Sequence, residues 1–469
     1  MQLVDAPSQS KPIRLIQYLG SKLNILDELV PELKTQIPFG GTCIDLFSGT
    51  AVVGQSLIGH CSVFSNDCSV FSKLLADVLI VGPSDASLDL PLPKVEVLTN
   101  SQAYRKNADY LKTIYHDALV LEDKLVQSGD GDGLGEFCKT LPTWWKKKSC
   151  WRNTRKVRDF VGTFDRVPKQ GQRFSFPACL FTTYYASSYF GLKQSIEIDS
   201  LRFAIEKLRG EHRLTDWQAQ ALLAGLISAI SRSVSSAGKH FAQPLIVQGE
   251  SQRPFALRRT LSDRLLQITG EMEMALVAIE RSANQPRMQN RSFSIDFEKL
   301  TKESTELGSR GAFLKYFGVH RVDCIYADPP YTAQQYSRFY HILETLIMYD
   351  YPNLQLQPRN SGSVTQGLYR EGRHKSIFCS RTGAPVAFEA LFSIASQVTD
   401  CLVLSYSSTN IGSGNPRMIE TELIASLAKR YFGHTLERTL EHRYRKLNRE
   451  EHNRREGDQE KLYIMCSKP

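Results

Sequence analysis

The sequence of 469 residues lacks several patterns that would assign it to other classes of protein. Its ten cysteines are scattered singly and no C-x-x-C pair occurs, so neither a zinc ribbon nor a disulfide scaffold is indicated. No apolar run reaches the roughly 18 residues that a membrane span needs, and the first residues lack the pattern of a secretory signal. We therefore expect a cytoplasmic protein with no membrane contact, whose cysteines are buried free thiols.

The residues that are present describe a folded and mildly basic chain. With 42% hydrophobic and 23% charged residues, it is long enough for a sizeable core and for two or three domains. It has 58 Lys and Arg residues against 49 Asp and Glu residues, which gives a formal net charge of +9. This excess favours a polyanionic partner such as nucleic acid, but it is too small to establish one.

Strand-like and helix-like segments alternate at both ends of the chain. Strand patterns that end in a polar turn occur in GTCIDLFSGTAVVG (41–54), CSVFSND (61–67), RVDCIYADPPY (321–331) and DCLVLSYSS (400–408), and each precedes a helical pattern. This alternation predicts an α/β fold with a Rossmann-like, mostly parallel sheet and helices on both faces. Because ligands of such sheets bind at the carboxyl ends of the strands, the polar turns are the candidate site.

The middle of the chain, residues 83–285, is less regular and is expected to be a large inserted region. Three of the four tryptophans form one tight group there, in TWWKKKSCWRNTRKVR (143–158), among seven cations. Cations can neutralise phosphates while aromatic rings stack on bases or enter base steps, so nucleic-acid contact is favoured over a surface helix that covers core. The candidate contacts are Trp144, Trp145, Lys146, Lys147, Lys148, Arg152 and Arg155.

Two loops supply further candidate contacts to a phosphate backbone. SRSVSSAGKHFAQP (231–244) is small, polar and basic and contains Lys239, and YREGRHKSIFCSR (369–381) contains Arg370 and Arg373. Loops of this composition can follow phosphates. An ordinary connection and a solvated surface are the equally open alternatives.

The tetrad Asp328-Pro329-Pro330-Tyr331 at a predicted strand end suggests a specific chemistry. The prolines stiffen the turn and have no N–H, so carbonyl oxygens beside the carboxylate are free to accept hydrogen bonds. Two adjacent acceptors suit an NH2 group, and a tyrosine ring can stack on a planar base. A plain proline turn would explain one proline but not the whole tetrad.

The two strand ends near the start of the chain predict a nucleoside site. Asp45 is followed by Gly49 and Gly54, which allow the backbone to approach a ligand closely. Asp67 ends the next strand, where an acidic side chain can accept hydrogen bonds from a ribose. No P-loop sequence is present, so a bound triphosphate is not expected.

Together these segments resemble a known family. YLGSK (18–22), DLFSGTAVVG (45–54), SND (65–67) and DPPY (328–331) occur in the order seen in Dam-like, alpha-group N6-adenine DNA methyltransferases. The resemblance implies S-adenosylmethionine as cofactor, double-stranded DNA as substrate, and no metal. It further implies that FSID (293–296) borders the cofactor adenine. The implied cofactor contacts are Tyr18, Lys22, Asp45, Phe47, Gly49, Asp67, Asp296 and Asp328.

In this family the tetrad is the catalytic motif, so Asp328, Pro329, Pro330 and Tyr331 are the implied catalytic residues. Asp328 and the Pro329 carbonyl would accept the two N6 protons of a flipped-out adenine, and Tyr331 would stack on its ring. The chain would then divide into a cofactor-binding part (12–82), an inserted target-recognition region (83–285) and a catalytic part (286–469).

Two departures from the family pattern are visible. Ala51 stands where the cofactor loop usually has a second glycine, and the insertion is longer than in compact members. Because the insertion is longer, the sequence does not indicate which DNA sequence is the target. A cognate restriction or defence nuclease is a further candidate partner.

Two alternative functions remain open. A methyltransferase acting on RNA adenine or on a protein glutamine amide would use a similar acceptor pair, although asparagine more often begins the tetrad in those relatives. A DNA-binding protein with a decayed site is the other alternative, and the intact tetrad and Asp67 argue against it.

Overall fold

The computed structural model of the chain describes residues 11–18, 20–84, 90–145, 155–163, 174–245, 254–358, 362–407, 417–443 and 459–467. Within these residues the strands form a seven-stranded sheet. They are β1 (Thr42–Asp45), β2 (Ser62–Asn66), β3 (Arg291–Phe293), β4 (Val322–Ala327), β5 (Thr399–Ser407), β6 (His434–Arg443) and β7 (Gln459–Cys466). Their order across the sheet is β3-β2-β1-β4-β5-β7-β6.

The register of the parallel strands brings the predicted site residues together. β1 lies between β2 and β4, and Asp45 is opposite both Ser65 and Tyr326. Asp67 and Asp328 each follow two residues after those partners, so all three carboxylates emerge at the same end of the sheet. The parallel strands β1 to β5 are followed by β6 and β7, whose pairings are antiparallel.

The strands are separated by α-helices, numbered here along the chain. They are α1 (Leu26–Gln36), α2 (Val52–Leu57), α3 (Val70–Ala76), α4 (Val95–Thr99), α5 (Gln102–Ile114), α6 (His116–Ser128), α7 (Gly131–Thr140), α8 (Arg155–Gly162), α9 (Leu180–Tyr184), α10 (Leu192–Gly210), α11 (Asp216–Ser233), α12 (Pro254–Arg264), α13 (Ile268–Ala283), α14 (Phe297–Phe317), α15 (Tyr336–Met348), α16 (Gly383–Val398) and α17 (Thr421–Tyr431). Helix α15 ends at Met348, because Tyr349 adopts a left-handed conformation (φ 45°).

Helices cover both faces of the sheet because its strands alternate between two apolar sets. On one face Ile44 and Ile325 pack with α14, α16 and α17, and on the other Cys43 and Cys324 pack with α1 and α2. This burial on both sides is what parallel strands require. The predicted Rossmann-like α/β fold is confirmed.

The middle of the chain is helical in the part that the structure describes. All regular elements described between Val95 and Ala283 are helices. Their apolar side chains from α10, α11 and α13 share one core with Phe71 of α3 and Leu343 of α15. The insertion thus packs directly on the two helices that flank the candidate site, while its limits at residues 83 and 285 stay a prediction.

Two expectations about the whole molecule concern thiols and membranes. The described cysteines are free and mostly buried. Among the described helices, none has the length and apolarity that a bilayer crossing requires.

Candidate active site at the carboxyl end of the sheet

A cavity of about 250 Å³ opens where the parallel strands end. Predicted site residues that line it are Tyr18, Phe47, Asp67, Asp296, Asp328, Pro329, Pro330, Tyr331, Arg370 and Arg373. A smaller cleft beside it is lined by Lys22, Asp45 and Gly49, and Tyr18, Phe47 and Asp328 line both spaces. The tertiary structure therefore brings together all the cofactor and catalytic residues that the sequence predicts.

Asp328, directly after β4, is held by a buried lysine. Lys22 Nζ lies 2.9 Å from Asp328 Oδ1, and only 3% of the Lys22 side chain is exposed. Burial raises the pKa of Asp328 to about 7, although the positive charge of Lys22 acts in the opposite direction. The carboxylate is thus poised between its two protonation states near neutral pH.

Glu460 is a member of this ion-pair network that the sequence analysis missed. Its Oε1 lies 2.8 Å from Lys22 Nζ, its side chain is fully buried, and Ser405 Oγ also donates to it. Because β7 is antiparallel to β5, its beginning lies opposite Ser407 at the end of β5. No local motif marks Glu460, so only the sheet topology could reveal it.

The tyrosine of the tetrad is fixed on one side. The guanidinium of Arg417 lies 4.6 Å from the centre of the Tyr331 ring, and the Tyr331 carbonyl accepts a hydrogen bond from Met418 N at 3.1 Å. Pro329 is buried behind the ring and Pro330 is partly exposed. The tetrad is therefore a stiff wall of the cavity, with the aromatic ring available to a planar group.

Asp45 has a buried carboxylate without a hydrogen-bond partner. Neither Oδ1 nor Oδ2 makes a hydrogen bond of normal geometry within the described structure, although backbone N–H groups of Phe47 and Gly54 stabilise its charge in part. Burial raises the pKa of Asp45 well above its usual value, and the charges of Asp328 and Asp67 raise it further. Such a group is costly unless a ligand supplies a cation or a donor.

The loop after β1 follows the backbone path that a close ligand approach requires. Gly49 has φ of +52°, and a Cβ atom there would meet the Tyr18 ring at 3.0 Å. Ala51 takes a left-handed conformation (φ 64°, ψ 16°), so the chain keeps the glycine-like path that the family pattern leads one to expect. The alanine at this position costs about 1–2 kcal/mol of backbone strain.

The end of β2 is ordered by its own carboxylate. Asp67 Oδ2 accepts a hydrogen bond from Gly49 N at 3.0 Å, and Oδ1 accepts one from Ser69 N at 2.9 Å. Across the cavity, Asp296 caps α14 by accepting from Glu298 N, and it lies 3.5 Å from His374 Nδ1. Both acids face the cavity where a nucleoside was predicted.

A second carboxylate that sequence analysis missed faces Asp67. Glu344, on α15, lines the cavity, and its Oε2 accepts a hydrogen bond from Val70 N at 3.3 Å. Its Oε1 is buried and has no hydrogen-bond partner among the described residues. Burial raises its pKa to about 7, with a further contribution from the charge of Asp67. The helical periodicity that predicted α15 gave no indication of this role.

Lys239 is corrected by the structure. Its ammonium group lies in the interior, 2.7 Å from Asp263 Oδ1 and 3.0 Å from the Val234 carbonyl oxygen, and only 8% of the residue is exposed. A group held in this way is not available to a phosphate. Its role is to tie the loop after α11 to α12.

Trp144 and Trp145 are packing residues, whereas Trp151 lies outside the described residues. Trp144 stacks on Tyr184 with ring centres 5.2 Å apart, and Trp145 Nε1 donates to the Tyr184 carbonyl oxygen. This geometry favours the core-covering alternative for both rings. Arg155 is exposed on α8, whereas Lys146, Lys147, Lys148 and Arg152 lie outside the described residues.

The second basic loop does reach the cavity. Arg370 pairs with Asp350 at 2.6 Å, while Arg373 lies over the Tyr369 ring at 4.6 Å and donates to Gln355. Both arginines line the cavity. DNA contact by this loop stays a prediction, and its position beside the tetrad favours it.

Comparison with known proteins gives one family and two relatives. A model described as D12 class N6 adenine-specific DNA methyltransferase matches residues 18–128 and 273–359, which confirms the family resemblance predicted from the sequence. Modification methylase LlaI of Lactococcus lactis subsp. lactis is 21% identical over 416 residues, 89% of this chain and 49% of the relative. Type II methyltransferase M.FokI of Planomicrobium okeanokoites is 22% identical over 397 residues, 84% and 45% respectively. The chain spans about half the length of these relatives, and no solved structure matches it significantly.

Proposed function

We propose that this chain, which resembles the D12 class of N6 adenine-specific DNA methyltransferases, transfers a methyl group from S-adenosylmethionine to N6 of adenine in a specific sequence of double-stranded DNA. The observation that carries this proposal is the pair of carboxylates in two adjoining spaces. Asp328, on the tetrad, faces the larger cavity, and the unpaired Asp45 faces the smaller cleft. Asp328 suits the amine that is methylated, and Asp45 suits the positively charged methyl donor beside it.

The residues present fit S-adenosylmethionine. Asp45 has a buried carboxylate with no hydrogen-bond partner among the described residues, which suits the ammonium group of the cofactor's amino-acid part, and Gly49 gives the adjoining loop its left-handed turn (φ +52°). Asp67 would hold the ribose, while Phe47 and Asp296 would border the adenine. The chemistry that this cofactor supplies when bound is an electrophilic methyl group on a positively charged sulfur.

The tetrad prepares the target amine for attack on that methyl group. The N6 lone pair of adenine is delocalised into the ring and is a poor nucleophile. Asp328 and the Pro329 carbonyl, as two acceptors out of the ring plane, favour a pyramidal nitrogen with a localised lone pair. The positive charge of Lys22 favours the ionised form of Asp328, which is the form that accepts hydrogen bonds. After transfer the amine must lose a proton, either to Asp328, whose pKa of about 7 suits this step, or to water.

Double-stranded DNA is the proposed substrate for both electrostatic and steric reasons. The net charge of +9 and the arginines beside the cavity suit a polyanion. A base inside a duplex cannot reach this buried tetrad, so the adenine must leave the helix at a cost of a few kcal/mol. The names of the two relatives, a modification methylase and a type II methyltransferase, support action on DNA. A cognate restriction or defence nuclease stays a prediction.

In the direct test, the purified chain is incubated with labelled S-adenosylmethionine and with DNA, RNA or cell protein. We expect label in DNA, at N6 of adenine. Label in RNA or protein but not in DNA would contradict the proposal. Sequencing the DNA of a host that expresses the protein, by a method sensitive to N6-methyladenine, would then identify the target sequence.

The role of the tetrad carboxylate has its own test. Asp328→Ala should keep DNA binding but lose methyl transfer, because it removes an acceptor from the target amine. Asp400→Ala is the matched control, since that carboxylate is 75% exposed and lies at the opposite end of the sheet. Retained turnover in Asp328→Ala would refute the role given to Asp328.

A further inference from the structure

Glu344 lines the cavity and has one carboxylate oxygen without a hydrogen-bond donor among the described residues. It lies on α15, two turns after the start of the helix, and accepts a hydrogen bond from Val70, the first residue of α3. Only one of its oxygens is used there, because Oε2 accepts from Val70 N while Oε1 is buried and unpartnered in the described structure.

An unpartnered carboxylate oxygen in this position needs an explanation other than packing. A buried acceptor without a donor costs free energy, and a buried charge costs more. The groups around Glu344 do not remove this cost: Asp67 opposes its ionisation, the backbone N–H groups of Phe71 and Val70 offset it only in part, and Arg370 is already paired with Asp350. A neighbour that merely anchored the helix could be an amide, which would accept from Val70 N without a charge.

The position of the acceptor indicates which donor it meets. The hydrogen bond to Val70 N brings Glu344 near Asp67, which lies three residues before Val70 in the chain, and both side chains line the same cavity. Asp67 is already engaged through one hydrogen bond on each oxygen, from Gly49 N and Ser69 N. A vicinal diol between these carboxylates could donate one hydrogen to each of them.

We propose that Glu344 accepts a hydrogen bond from one ribose hydroxyl of the cofactor, while Asp67 accepts from the other. This inference rests on the proposed function, since it assigns a further binding residue to the same cofactor. Two elements would then bind the ribose, namely the loop after β2 and helix α15. Because α15 begins five residues after Tyr331, cofactor binding would also fix the helix that follows the tetrad.

Calorimetric titration of the full chain with S-adenosylhomocysteine tests this assignment. Glu344→Ala should weaken binding roughly 10- to 100-fold, the usual range for a hydrogen bond to a charged group. Glu344→Gln should lose less, because its amide oxygen can still accept. The same titrations with the 2′-deoxy and 3′-deoxy forms of the ligand identify the hydroxyl. At least one of these forms should bind worse than the parent ligand to the wild type but equally well to Glu344→Ala.

Glu306→Ala is the matched control, since Glu306 is 57% exposed on α14, and it should bind like the wild type. The melting temperature of each variant checks folding, and Glu344→Gln carries the test if the alanine variant is unstable. If the wild type binds none of these ligands, the proposed function itself fails. If the wild type binds them and both Glu344 variants bind equally well, or show unchanged penalties for both deoxy forms, only the assignment of Glu344 is overturned.

Discussion

Substitution of Glu460 by glutamine tests whether the last strand tunes the carboxylate of the tetrad. Glu460 and Asp328 share the ammonium group of Lys22, at 2.8 Å and 2.9 Å respectively. The negative charge of Glu460 raises the pKa of Asp328. Removing that charge while keeping the side-chain volume should therefore lower the pKa of Asp328.

The distances set the size of the effect. The two carboxylates are at most about 5.7 Å apart through Lys22, the sum of those two distances, which corresponds to about 3 kcal/mol between unit charges at an effective dielectric constant of about 20. That energy equals about 2 pKa units. Because 19% of the Asp328 side chain is exposed, solvent screens part of it, and we expect a decrease of about one unit.

The assay is the single-turnover rate of methyl transfer between about pH 5 and about pH 9, with cofactor and DNA saturating. Protonated Asp328 loses its acceptor strength, so the rate should fall on the acid side. In Glu460→Gln this fall in rate should occur at a pH about one unit lower than in the wild type. Glu437→Gln is the control, because Glu437 is 44% exposed and pairs with Lys461 rather than Lys22. If the fall in rate occurred at the same pH as in the wild type, or at a higher pH, the coupling between Glu460 and Asp328 would be refuted.

Three further predictions concern other parts of the site. Asp45→Asn should weaken S-adenosylhomocysteine binding by roughly tenfold or more, because the cofactor ammonium loses a buried charged partner; calorimetry that shows unchanged affinity would contradict this. The pKa of Glu344 is raised from 4.5 to about 7. Its contribution to the free energy of unfolding is therefore present below about pH 4.5 and is lost as pH rises through about 7. The loss amounts to at most about 3 kcal/mol. Urea unfolding of the ligand-free protein at about pH 8 should therefore find Glu344→Gln more stable than the wild type, with the difference shrinking toward about pH 5, and a pH-independent difference would argue against it. Arg373→Ala should weaken DNA binding and lower its salt dependence by about one charge. Lys239→Met should leave DNA binding intact and lower the free energy of unfolding by about 3 kcal/mol. If instead Lys239→Met weakened DNA binding and Arg373→Ala did not, Lys239 would again be a candidate DNA contact.

Most of the fold was predictable because its signals are local. Alternating strand and helix patterns marked the elements around Asp45, Asp67 and Asp328, and parallel topology requires such residues to meet at one end of the sheet. The stiff Asp328–Tyr331 turn could likewise be read as an acceptor pair, since proline fixes its backbone wherever it occurs.

The basic side chains were less predictable, because charge in the sequence does not reveal what a side chain contacts. Lys239 was expected to meet phosphate but is buried against Asp263, and Trp144 packs on Tyr184. Arg373, chosen on the same grounds, does lie beside the cavity. The difference depends on how the inserted helices pack, which no residue pattern specifies.

By itself, the sequence determined the order of strands and helices, the three carboxylates at strand ends and the tetrad. Only the tertiary structure decided which other groups complete the site. Glu460 reaches Lys22 because β7 returns antiparallel to β5, and Glu344 reaches Val70 at the start of α3 because α15 packs beside that helix. Both contacts join residues hundreds of positions apart, and such pairings depend on chain topology and on packing of apolar faces rather than on local sequence.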